Sequence, residues 1–400
     1  MTGQWQKTNH ASSTKTLAGK VKAFVDEAII PNESKLAMRD QRSLQLQMEL
    51  SQSARQAGLC NLFYPLSHSG KIASLEDYLI VAEQEGRTEF SQDIFGSHTA
   101  LDAHMLLRFG NETISRQFLE PMVSGIAIPC YGMTEPGHSG SIPSLISTAA
   151  SLSKGRWRIN GRKWFISNAD RATFMTVLAR TGSEDMPIHH ALSMIIVPAD
   201  TAGFKMERQL TMMGHSYGQG EVSLTDVQVP EQYLLGICGN GIELMNKRLS
   251  LGRVLRAMNW IGLAQRCLDL MGARIHSVRG KFSRLADKQL VRQHMVNAYH
   301  AIAGARELIR VAARSVDAQA PDDIAINVAK LAASRALCVA SDSAIQLYGA
   351  EGLSDLTPLF GISRIARSSR ILDGNDESLI SSVGRRLINF YEREKVYSFD

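Results

Sequence analysis

The sequence predicts a mainly α-helical protein with a central β-domain: an N-terminal helical bundle, a middle β-barrel and a C-terminal four-helix bundle. Three textures carry this expectation. Apolar residues recur at helical spacing up to about residue 125, β-branched residues alternate with polar ones to about residue 240, and long helical periodicity fills the rest. The expected domains are therefore 1–125, 126–240 and 241–400.

In the first block, LAGKVKAFVDEAII repeats its apolar positions every three or four residues, and Pro31 is expected to stop it. LQLQMELSQSARQAGL and LEDYLIVAEQEGR behave alike. In the middle block the clearest local signal is RWRINGRKWFIS. Asn160-Gly161 suits the positive φ values of a two-residue turn, so Trp157 to Ile159 and Lys163 to Ile166 are expected to pair as a hairpin. ATFMTVLAR, ALSMIIVPA and GEVSLTDVQVP read as further strands. In the last block, RVLRAMNWIGLAQRCLDLMGARIHSV and IAINVAKLAASRALCVASDSAIQLYGA are long enough for helices of a four-helix bundle.

The 400 residues are 44% hydrophobic, enough for a substantial core. The formal net charge is +5, but the 44 Lys and Arg are spread without a basic block. That suits a small phosphate-rich ligand or a solvated surface, and no nucleic-acid partner is expected. The five cysteines stand far apart with no CxxC pair, which speaks for free thiols and against a metal site. The N-terminus shows no signal-peptide pattern and no run of apolar residues looks fit to span a bilayer, so the expected location is the cytoplasm.

YGMTEPGHSGS, residues 131 to 141, admits two chemistries. A nucleophile elbow needs G-x-S-x-G, but Gly137-His138-Ser139 is followed at once by Gly140. The pattern misses by one residue and no amphipathic helix follows. A cofactor-holding loop fits better, because TEPG follows a strand and KWFISN comes about 30 residues later on another.

At these residues the sequence resembles the acyl-CoA dehydrogenase family of flavoproteins, over nearly the whole chain. YGMTEPGHSGS is similar to the family's first flavin-binding segment and KWFISN to its second. HSVRGKF resembles its R-x-x-F segment and QLYGAEG its Q-x-x-G-G-x-G. SRIARSSRILDGNDE lies where the family has an R-x-x-[RK] run leading to a catalytic E-G-T.

The resemblance implies FAD. Tyr131, Met133 and Thr134 would line the isoalloxazine with Gly140 beside them, and Phe165 with Ser167 would stand against its other side. Thr134 and Ser167 are the expected hydroxyl donors. Read alone, Trp164 and Phe165 fit ordinary strand packing equally well. Arg279 and Gln289 match positions that hold the FAD pyrophosphate of a neighbouring subunit, with Phe282 as a further cofactor-binding residue and Gln346, Gly349 and Ala350 near the adenosine end. That arrangement implies a homodimer or homotetramer with FAD at a subunit interface.

The implied chemistry is removal of the α-proton of an acyl-CoA thioester with transfer of the β-hydrogen as hydride to flavin N5. The site must then supply a base and stabilise the enolate oxygen. Asp373 occupies the position of the family's glutamate and is the expected base, with Asn375, in place of its threonine, expected at the cofactor. Gly252-Arg253 lacks the carboxylate that some members place before this arginine; Arg253, Gly140 and Leu372 are expected at the substrate. The DGNDE run also reads as a solvated turn, and it lacks the spacing of a calcium loop.

Several positions depart from the family pattern. Ser139-Gly140-Ser141 replaces glycine-serine-aspartate, Leu372 replaces an aromatic residue, and the segment from Phe282 to Gln289 is one residue short. Aspartate also reaches roughly 1.5 Å less than glutamate, which leaves Asp376 and Glu377 as alternative bases. Electrons would pass to an electron-transfer flavoprotein; the alternative is a monooxygenase or oxidase of the same fold, with O2 as acceptor.

Overall fold

The computed structural model of the chain describes residues 2–140 and 142–394; Ser141, the last residue of the YGMTEPGHSGS stretch, lies outside them. The chain divides into two compact units. One joins Tyr64–Lys71 to His98–Leu249; the other gathers the N-terminal residues through Phe63, Ile72–Ser97 and the chain from Ser250 onward.

The first unit is built on eight strands: β1 (Pro129–Gly132), β2 (Ala149–Ser153), β3 (Arg156–Ile166), β4 (Phe174–Arg180), β5 (Leu192–Pro198), β6 (Phe204–Met212), β7 (His215–Pro230) and β8 (Leu234–Leu235). They pair in the order β6-β7-β3-β2-β4-β5-β8, with β1 parallel to β4. Inward residues of six strands, including Cys130, Ala150, Trp157, Ile159, Val177, Val197 and Val227, meet in one buried cluster. A sheet whose strands share one core in this way is curled on itself.

The expected hairpin within RWRINGRKWFIS does not form. Arg156–Ile166 is one continuous strand, and both halves pair with β7 instead of with each other. Asn160-Gly161 lies mid-strand at a register shift between Ile159 and Gly161. There the Asn160 Oδ1 accepts the Asp226 N–H at 2.8 Å. A Cβ on Gly161 would stand 2.3 Å from the Thr148 hydroxyl, so the glycine serves a close approach and not a turn. The actual turn is Lys154-Gly155, with φ of 49° and 71°, joining β2 to β3.

The second unit is helical. Its first helix, Thr2–Phe24, continues through a π-turn at Val25–Ile29 and a 3-10 turn at Ile30–Asn32 into Glu33–Leu36. Pro31 therefore redirects the helix where a stop was expected, because it opens a new turn in which its missing N–H is not needed. Gln41–Gln56 starts on Asp40 and Leu75–Glu85 on Ser74, each side chain capping a backbone N–H three residues on.

Long helices follow at Gly241–His276, Gln289–Asp317, Asp323–Tyr348 and Asp376–Glu394. On Gln289–Asp317, Ala298, Ile302, Ala305, Ile309 and Ala312 form a buried stripe at helical spacing. The Leu75–Glu85 helix meets Gly241–His276 closely. A Cβ on Gly86 would stand 2.3 Å from the Asn259 carbonyl oxygen, and one on Gly262 2.2 Å from that of Glu83. By length and composition alone Asp323–Leu353 would span a membrane, contrary to the sequence reading; 61% of its most apolar window is buried within the protein. All five cysteines are free thiols.

Candidate active site

The strand unit carries the loop from Met133 to Gly140, which follows β1. It is stitched to β3 by two bonds: the Trp164 N–H donates to the Thr134 carbonyl at 3.0 Å, and the Thr134 hydroxyl donates to the Trp164 carbonyl at 2.6 Å. Thr134 thus spends its proton on the backbone and can only accept from a ligand, which corrects its expected role as donor. Beneath the loop, Lys163 is fully buried and donates to Glu135 at 2.8 Å, and also to the carbonyls of Leu178 and Met133. Glu135 also accepts from the backbone N–H groups of Ser147 and Thr148. Burial raises the Glu135 carboxyl, but Lys163 outweighs it and holds it down at about 2. Burial lowers Lys163 to about 8.

This scaffold presents a shallow groove lined by Met133, Thr134, His138, Gly140, Ile142 and Leu145. Phe165 is 43% exposed although it lies within the core strand β3, and its backbone has φ of 51°, rare for a bulky residue. Simple strand packing does not account for that. Ser167 is exposed beside it, and the Tyr131 hydroxyl is buried with no hydrogen-bond partner among the described residues. An exposed aromatic face, an apolar groove and a buried unfilled polar group suit a flat, polar-edged ring such as flavin.

In the helical unit, Asp373 sits in a left-handed turn, with φ of 56°, followed by Gly374 at 102°. The Arg253 Nε donates to its main-chain carbonyl at 2.9 Å and Nη1 to Asn327 at 3.1 Å. Arg256, one turn further along the same helix face, places its Nε 3.5 Å from the Asp373 carboxylate and its Nη1 3.0 Å from the Gln92 side-chain oxygen. Asp373 remains 27% exposed. Arg253, expected at the substrate, grips the backbone of Asp373 and the Asn327 side-chain amide.

The alternative bases fare differently. Asp376 is buried between Lys330 and Arg370, each at 3.0 Å. Burial raises its carboxyl, yet these two cations together hold it below its ordinary range. It is committed to structure. Glu377 is exposed, 3.9 Å from Arg370. Asn375 caps the helix Asp376–Glu394 by accepting the Ser378 N–H at 2.8 Å, and Leu372 is half-buried.

The remaining expected cofactor residues gather at one end of the helical unit. Arg279 ion-pairs with Glu351, which also takes Arg274 at 3.0 Å. HSVRGKF and QLYGAEG are therefore neighbours in space. Gln346, Gly349, Ala350 and Gln289 are exposed, and Phe282 is 91% exposed. Glu351, Arg256, Lys330 and the Asp102–Arg248 pair escaped the sequence reading, because each acquires its meaning from a partner distant in the chain. Among the described residues no cluster of His, Cys, Asp or Glu could hold a metal.

An eight-stranded unit with a groove beside an exposed aromatic side chain, and a helical unit with a tethered carboxylate, have the makings of an acyl-CoA dehydrogenase. The chain belongs to that family, whose members are FAD-dependent oxidoreductases. It matches the models of the acyl-CoA dehydrogenase N-terminal, middle and C-terminal domains over residues 12–126, 130–227 and 239–388. It is 35% identical to the protein named probable acyl-CoA dehydrogenase FadE2 of Mycobacterium tuberculosis, with 84% of each chain covered. It is 32% identical to mouse acyl-CoA dehydrogenase family member 11 over 92% of this chain. The chain spans about half the length of that relative. A solved Mycobacterium abscessus structure assigned to the acyl-CoA dehydrogenases superposes with a TM-score of 0.85 at 29% identity, covering 95% of this chain and 98% of the other.

Proposed function

We propose that the protein is an FAD-dependent dehydrogenase of an acyl-CoA thioester in which Asp373 takes the α-proton. The carrying observation is the contrast between two aspartates. Asp373 is partly exposed, with its backbone fixed by Arg253, whereas Asp376 is buried between two cations. A carboxylate oriented by its backbone and open to a ligand suits general-base work.

Bound FAD would supply the hydride acceptor for the β-hydrogen and a ribityl hydroxyl beside the thioester oxygen. Met133 and Phe165 would pack against the ring, with the Ser167 hydroxyl as donor and Thr134 as acceptor. A backbone N–H beside Asp373 would hold the thioester oxygen. Arg279, with Gln346, Gly349 and Ala350, would serve the pyrophosphate and adenosine of a second copy's FAD. The adjacency of these segments through Glu351 supports that reading. A homodimer or homotetramer is further supported by exposed apolar side chains on Gln289–Asp317, where Leu290, Val296 and Tyr299 are more than 60% exposed.

The test is the visible spectrum of the FAD-loaded protein without oxygen, before and after a panel of acyl-CoA thioesters. Bleaching that persists in air until an acceptor is added would support a dehydrogenase working with an electron-transfer flavoprotein. Prompt recovery in air would move the reading to an oxidase or monooxygenase. Undiminished bleaching in Asp373→Asn would remove Asp373 as the base.

A further inference from the structure

One cluster in the strand unit has no role in this scheme. The Arg248 guanidinium lies over the Tyr131 ring, 4.1 Å from its centroid. The same guanidinium donates to both carboxylate oxygens of Asp102, at 3.1 and 3.2 Å. Asp102 is 6% exposed. Ring and carboxylate thus meet the same guanidinium, the Tyr131 ring through its face and Asp102 through hydrogen bonds. A guanidinium is drawn to a ring face by the ring's quadrupole, most strongly where water is excluded.

The ring so held belongs to β1, two residues before the groove-lining Met133, and its hydroxyl is buried with no hydrogen-bond partner among the described residues. Native proteins leave a buried hydroxyl unfilled only where something else completes it. We propose that Arg248, fixed by Asp102, is a positioning residue for the cofactor wall: it orients Tyr131 and turns the positive end of a buried ion pair toward the flavin. This rests on the FAD reading above. A reduced flavin is more negative than an oxidised one, so positive charge on this side favours reduction, and a poorly solvated site amplifies the effect.

Charge and packing make different predictions. Arg248→Gln removes the cation and leaves Asp102, so the flavin midpoint potential should become more negative. Asp102→Asn leaves the cation uncompensated, so the potential should become more positive. Arg248→Lys keeps the charge but loses the planar stack and the two-oxygen grip. It should bind FAD about tenfold more weakly, at a potential close to wild type.

The experiment reconstitutes wild type and the three variants with FAD, then measures the dissociation constant by flavin fluorescence and the midpoint potential by dye equilibration, without substrate. Opposite shifts in Arg248→Gln and Asp102→Asn are the expected result. A shift of the same sign in both, or none in either, would overturn the proposal. If Arg248→Gln does not fold, Asp102→Asn decides alone: a positive shift supports the role and any other result refutes it. A wild type that takes up no FAD would sink the cofactor reading and this inference with it. Normal FAD uptake with unmoved potentials would sink only the role of Arg248.

Discussion

The Arg253 side chain ties two parts of the helical unit together, donating from Nε to the Asp373 carbonyl at 2.9 Å and from Nη1 to Asn327 at 3.1 Å. A planar fork reaches both acceptors from two separate nitrogens held in fixed geometry; a lysine has a single nitrogen and no such fork. Arg253→Lys should therefore slow thioester-dependent flavin reduction on the order of tenfold or more, through misplacement of the carboxylate. The FAD dissociation constant should not change. A raised KM with intact kcat would instead return Arg253 to the substrate.

The neighbouring aspartates should answer the same substitution in opposite ways. Asp376→Asn leaves Lys330 buried without its counter-ion, an arrangement that costs on the order of 3–5 kcal/mol. Its melting temperature should drop by many degrees. Asp373→Asn places in a left-handed turn a residue that tolerates it well, so stability should hold within about 0.5 kcal/mol while substrate-driven bleaching disappears. Differential scanning calorimetry beside stopped-flow spectroscopy separates the two.

Breaking the pair beneath the loop should loosen the groove. Lys163→Met strands the Glu135 carboxylate at 3% exposure. The expected loss is about 3–5 kcal/mol of stability, with weaker FAD binding on refolding. Replacing both partners, as in Glu135→Leu with Lys163→Met, should recover much of the stability without restoring FAD affinity, since the loop loses the bonds to Ser147 and Thr148. Restored affinity would mean that the loop keeps its shape unaided.

Glu85 provides a pH signature. It is 1% exposed, accepts the Tyr78 hydroxyl at 2.9 Å, and burial pushes its carboxyl up to about 7. The folded protein thus holds this proton more tightly than the unfolded chain. Its contribution is fully present below the unfolded value near 4.5 and is lost as pH rises through 7. Glu85→Gln, which still accepts from Tyr78, should stabilise the protein at pH 8 by up to about 3 kcal/mol and make little difference at pH 4. Denaturant melts at the two pH values check this; equal effects at both would mean that Glu85 titrates normally.

What the sequence conveyed and what it withheld follow from the range of the interactions. Periodicity located the helices, and β-branched and apolar runs located the strands β4, β5 and β7, because both patterns are written in consecutive residues. Asn160-Gly161 misled for the same reason: the dipeptide satisfies a turn locally, but pairing with β7 and contact with Thr148 decide its place. Asp373 was legible through its motif. Arg256, which faces its carboxylate, was not, since no local pattern distinguishes it from a solvated helix arginine. Similarly, Thr134 looked like a free donor until Trp164 claimed its proton.

The order in which the units recur along the chain also bears on how the protein is made. The strand unit is nearly continuous, closing with Leu249, whereas the helical unit needs segments from before Phe63 and from beyond Ser250. On a ribosome the strand unit can close while the helices before Phe63 and within Ile72–Ser97 still lack the long helices beyond Ser250 that complete their unit. Those first helices spend most of synthesis in an incomplete unit. Truncations after residue 250 should therefore leave a soluble strand unit carrying an aggregation-prone N-terminal extension, and helper proteins that hold nascent chains should engage those first helices before any other part.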